Sequence, residues 1–149
     1  MSDDLRYPVG RCDWPAEVSA EERQRHIRDI SEMPGKLRAA VAGLALQHLD
    51  VPYREGGWSI RQIVHHIPES HMNSYTRFKL ALTEDQPTIK PYDEKLWAET
   101  PDARTGPIEH SLDLTEALHN RWSLILNNMT DADFERTLRS EERRVGKEC

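Results

Sequence analysis

Apolar residues recur at spacings of three and four along three long stretches of this chain. Ile27, Ile30, Met33, Leu37, Val41 and Leu44 mark the first stripe. Ser19-Ala20-Glu21-Glu22 precedes it as a capping box, with the serine at the N-cap and a glutamate three residues on. Helix 1 is therefore predicted to start at Ala20 and to end near His48. Pro34 lies inside it and is expected to kink or split it, because an interior proline removes one hydrogen bond and crowds the preceding turn.

Pro52 and Gly56-Gly57 make the next segment a loop. Ser59-Ile60-Arg61-Gln62 is a second capping box, and helix 2 is predicted over Ile60 to Thr83. Residues 84–110 carry Pro87, Pro91, Pro101 and Pro107. They read as a long crossover with a short helix near Asp93 to Glu99. Helix 3 is predicted from Leu112 to Met129, with Leu114, Leu118, Trp122, Ile125 and Met129 on its inner face. Residues 130–133 read as a turn or a fresh N-cap. Residues 1–18 hold Tyr7-Pro8 and Trp14-Pro15 and read as an extended arm, with Trp14 expected to pack on the helices.

Composition supports an all-α domain. Long runs of Val, Ile, Thr and Tyr are absent, and only two Phe and seven Gly occur. At 149 residues the chain is one domain, and it can bury a sizeable core without a staple. The net charge of −6 argues against a nucleic-acid partner, which calls for a basic footprint. Cys12 and Cys149 stand far apart and form no disulfide framework. With no apolar leader and no membrane span, a cytoplasmic location is expected.

The last eleven residues, RSEERRVGKEC, show no apolar periodicity. They resemble the translation of a sequencing-adapter oligonucleotide. The native domain is accordingly expected to comprise 1–138 and 139–149 to be foreign, with the gene continuing past Leu138. Three long helices are one short of a closed four-helix bundle, so the fourth helix is expected to be missing from this chain.

Helix 2 carries the chemistry. At about 100° per residue, Ile60, Val64, Ile67, His71, Tyr75, Phe78 and Leu82 form a core stripe. A second stripe, Ser59, Gln62, His66, Ser70, Asn73 and Arg77, has one charge in six positions and fits a polar cleft beside the core. A neutral imidazole there suits a metal, with Gln62 or Ser70 one turn away to orient it. The residues alone leave two readings of His66, a ligand or an ordinary half-buried helical histidine. The chain up to Leu138 contains no H-x-x-x-H and no H-E-x-x-H. His65 and His66 are adjacent and cannot chelate one ion together. His26, His48, His110 and His119 read as surface residues.

The run GGWSIRQIVHHI, followed by ESHMNSYTRFKLALTE, resembles the YfiT-type branch of the DinB superfamily. The likeness is densest from Pro52 to Trp97. It extends back to YPVG at Tyr7 to Gly10 and forward through Leu118 to Phe134. It implies an up-down-down-up four-helix bundle, usually dimeric. It further implies a metal-dependent hydrolase with a divalent ion, zinc or nickel, held by three histidines. His66 matches the ligand on helix 2, and the other two ligands belong to an H-x-x-x-H on a last helix. The resemblance puts Pro68 where the family has a helix former, so a kink near His66 is expected. Asn73, Arg77, Tyr92 and Trp97 are the candidate contacts to a small-molecule substrate. Two other functions fit the same frame: a metal-dependent S-transferase using a bacillithiol-type thiol, and a non-catalytic helical binding protein. With one histidine of three, the chain is expected to bind metal weakly and to be inactive.

Overall fold

Two serine-capped helices and a third that packs on both organise the molecule. The computed structural model describes Tyr7, Gly10 and residues 18–140. The expectations for Cys12, Trp14 and residues 141–149 lie outside the described residues. α1 spans Ala20–Val41, α2 Leu46–Leu49, α3 Ile60–Thr83, α4 Glu94–Trp97, α5 Pro101–Thr105, α6 Ile108–Leu126 and α7 Asp131–Phe134. Two short strands, β1 (Thr88–Ile89) and β2 (Arg139–Ser140), pair in parallel.

Both predicted capping boxes are formed. Ser19 and Ser59 each accept a backbone N–H from N3, and Glu22 and Gln62 each accept the N-cap N–H in return. Such a cap contributes about 1 kcal/mol. Helix 2 of the sequence reading is α3, with the predicted bounds. Helix 1 departs from expectation. α1 runs unbroken through Pro34, stops at Val41, and a separate four-residue α2 follows Gly43, whose φ is +77°. Pro34 is buried, so its ring adds packing where it removes a hydrogen bond. α3 likewise continues through Pro68, which is almost fully buried.

Two apolar clusters fill the interior. Leu49, Val64, Ile108 and Leu112 gather Leu37, Val41, Leu44 and Ile60 at one end. Ile27, Trp122 and Leu126 gather Ile30, Tyr75, Phe78, Met129 and Phe134 at the other. α6 contributes to both clusters and packs on α1 and on α3.

The buried face of α6 differs from the predicted one. It comprises Ile108, Ser111, Leu112, Thr115, Leu118, His119, Trp122 and Leu126, while Leu114 is 41% exposed. Thr115 turns inward because its hydroxyl donates to the Ser111 carbonyl at 2.6 Å. His119, expected at the surface, is 1% exposed. Its ring meets the Ile30 carbonyl and the His71 ring, which replaces the water it would otherwise need. His26, His48 and His110 are exposed as expected.

The boundary drawn at Leu138 does not coincide with an end of the regular structure. Arg139 and Ser140 pair with Thr88 and Ile89, and the Arg139 side chain donates to Gln86. Among the described residues, no helix is long and apolar enough to cross a membrane.

Candidate metal and substrate site on α3

All six residues of the low-charge stripe, Ser59, Gln62, His66, Ser70, Asn73 and Arg77, are half-buried. The loop before α3 covers its first turns. Gly56 turns the chain with φ +64°, and Tyr53 N–H donates to the Trp58 carbonyl. A Cβ at Gly57 would come within 2.7 Å of the Tyr53 ring, so a side chain there would push that ring aside. This loop sets Trp58 against His66, with ring centroids 4.8 Å apart.

His66 is held in a half-buried position, and its Nδ1 is buried without a hydrogen-bond partner. Burial lowers its pKa below the ordinary imidazole value, opposed by the nearby charge of Glu94. The imidazole is thus kept neutral, the form that donates a lone pair to a metal. Gln62 and Ser70 do not orient it. The Gln62 amide completes the helix cap and donates to the Ala98 carbonyl at 2.7 Å, and Ser70 bonds to Tyr92.

One turn on, Glu69 also carries a buried, unpartnered atom, its Oε2. Burial holds its carboxyl above the usual range, and the negative charge of Asp102 adds to that. A carboxylate on a helix reads in sequence as a solvent group, so only the fold reveals Glu69.

The crossover supplies the opposite wall. Tyr92 and Trp97 pack with centroids 4.6 Å apart. Burial raises the Tyr92 pKa first, its bond to Ser70 lowers it, Glu69 and Glu94 raise it, and Arg77 lowers it. These couplings bring Tyr92, Ser70, Glu69, Glu94 and Arg77 into one neighbourhood. Three of the four candidate substrate contacts, Arg77, Tyr92 and Trp97, therefore share that region. Asn73 spends its amide donor on the Glu69 carbonyl of its own helix. A cleft of about 540 Å³ lined by Tyr53, Trp58, Gln62, Glu94 and Leu96 opens beside the His66–Trp58 pair.

His65 faces elsewhere, as the helix geometry requires. Its Nδ1 lies 2.7 Å from Ser111 Oγ and its Nε2 3.1 Å from the Gly106 carbonyl. Beside it, the buried Arg61 donates to Asp50 at 2.7 Å and to the Gly106 carbonyl at 2.8 Å. Together they fix α3 against the α5–α6 junction. Among the described residues, no group of three or more His, Cys, Asp or Glu side chains is arranged to hold a metal ion. His66 and Glu69 are the only two metal-capable side chains among the described residues that carry a buried atom without a hydrogen-bond partner.

Known proteins give this geometry a context. A relative from Geobacillus thermodenitrificans, named "Putative metal-dependent hydrolase", is 51% identical over 136 residues, covering 91% of this chain and 76% of the relative. YfiT of Bacillus subtilis, with the same description in its name, is 47% identical over 135 residues, covering 91% and 76%. A solved structure of Bacillus subtilis YfiT, described as having "an unusual four-helix bundle topology", superposes with a TM-score of 0.91 at 44% identity. The superposition covers 94% of this chain and 80% of that one. The DinB superfamily model matches residues 29–148, which includes most of the tail read as foreign. The chain belongs to the DinB superfamily.

Proposed function

We propose that this protein is a metal-dependent hydrolase in which His66 supplies one ligand to a divalent cation, zinc or nickel. The observation that carries the reading is the buried, unpartnered Nδ1 of a neutral His66 beneath Trp58. An unpartnered ring nitrogen of that kind in a half-buried site calls for an ion or a water. The name "Putative metal-dependent hydrolase" carried by the relatives agrees with it.

When bound, such a cation lowers the pKa of water towards neutrality and makes hydroxide available. Trp58 packs on the His66 ring and covers one face of it. Tyr92 and Trp97 provide an aromatic wall for the apolar part of a small substrate. Arg77 offers a cation for an anionic group. The resemblance implies two further histidine ligands on a last helix. The described residues carry the His66 part of that site.

Titration with zinc and with nickel at neutral pH tests the reading. The chain is expected to bind weakly, at micromolar concentrations or above, and His66→Ala to weaken binding about tenfold or more. Equal affinity in the two proteins would overturn the assignment of His66.

A further inference from the structure

Glu69 has no evident reason to be where it is. A half-buried carboxylate normally collects N–H or O–H donors, and leaving one unpaired is unfavourable. The Glu69 carboxylate has none: Oε2 is buried without a partner, and the Asn73 amide donates to the Glu69 backbone carbonyl instead. Its electrostatic neighbours make matters worse. Asp102 is close enough to oppose its ionisation, and Tyr92 senses the charges of Glu69 and Glu94 together. The charges coupled to Glu69 and Tyr92 are thus the carboxylates of Asp102 and Glu94 against the one guanidinium of Arg77. His66, three residues earlier and so one turn away on the same helix, has a matching defect: a buried ring nitrogen without a partner. One positive ion answers both.

We infer that the carboxylate of Glu69 joins the imidazole of His66 in holding the divalent cation, as a mixed nitrogen and oxygen pair one helical turn apart on α3. This rests on the reading of His66 as a ligand. An imidazole with a carboxylate suits zinc and nickel alike. A histidine and a glutamate at this helical spacing also hold metals in the cores of other bundles. The arrangement gives Glu69 a cost in the metal-free protein that the ion removes.

The test uses the 149-residue chain and its His66→Ala, Glu69→Ala and Glu69→Gln variants, with zinc as the calorimetric probe and cobalt as the spectroscopic one. Glu69→Ala and Glu69→Gln are expected to weaken zinc binding by about 10- to 100-fold. They should also move the visible cobalt band of the wild-type complex. Metal-free Glu69→Gln is expected to melt no lower than the wild type, since it removes an unpaired buried charge, and to lose most of the zinc-induced rise in melting temperature. Wild-type zinc affinity in both Glu69 variants, with His66→Ala weakened, would overturn the role of Glu69 and leave His66 standing. A clearly lower melting temperature for metal-free Glu69→Gln would also overturn it, by showing a structural partner for the carboxylate. Unchanged binding in His66→Ala would remove the metal reading itself, and the pair with it.

Discussion

His119 Nε2 lies 2.7 Å from His71 Nδ1, while the other nitrogen of His119 meets the Ile30 carbonyl. A carbonyl only accepts, so His119 carries its proton on Nδ1 and accepts with Nε2. His71 then donates from its Nδ1. The chain of bonds links α1, α6 and α3 and requires a lone pair on His119 Nε2.

The burial of His71 sets a pH dependence. His71 is pushed down from 6.5 to about 4 by burial first, then by His119 and His66. Unfolded, it would take its proton near the ordinary value. Between the two values the unfolded chain binds more protons, so this stabilisation is complete above pH 6.5 and is lost as the pH falls towards 4. Melting temperature measured across that interval should fall with pH, and the slope should flatten in His71→Phe. An unchanged slope in the variant would place the proton uptake elsewhere.

Trp122 anchors the second core cluster, edge-on to Phe78, His71 and His119 at 5.5, 6.1 and 5.8 Å. Trp122→Ala should cost about 3–5 kcal/mol in denaturant unfolding. Trp122→Phe should cost much less, because the indole N–H it deletes is buried without an acceptor.

Arg61 and Asp50 form an unequal pair, with side chains 9% and 61% exposed. Arg61→Met removes a buried cation that donates to both Asp50 and the Gly106 carbonyl, and should cost roughly 1.5–3 kcal/mol. Asp50→Asn should cost clearly less than Arg61→Met, since water screens that carboxylate. Equal losses in chemical denaturation would contradict this asymmetry.

Ser59→Ala should remove about 1 kcal/mol from unfolding stability, and Ser19→Ala a comparable amount. The Ser59 effect should also reach the site, because Gln62 spans from that cap to the Ala98 carbonyl behind Trp97. Altered zinc affinity in Ser59→Ala but not in Ser19→Ala would register it.

What could be read from the sequence follows from what decides each feature. α3 was legible to the residue because its start is a local cap and its end a proline-bounded turn. The half-burial of the His66 stripe was legible because charge is scarce there. The continuity of α1 through Pro34 was not, since packing around the ring overrides local propensity. The inward turn of Thr115 and His119 was hidden because an apolar count cannot see a polar side chain satisfied by a carbonyl. Glu69 was hidden for the opposite reason, being a charge that local rules send to water.

The pairing of Thr88–Ile89 with Arg139–Ser140 bears on how the crossover would respond to a cut. Arg136 grips the carbonyls of Ala81 and Glu84 just upstream, and Gln62 grips that of Ala98 downstream. A protease severing the backbone between these anchors would leave two tethered stumps instead of a loose flap. Tyr92 and Trp97 could then stay near α3 in a nicked molecule that gels would report as two fragments and a sizing column as one.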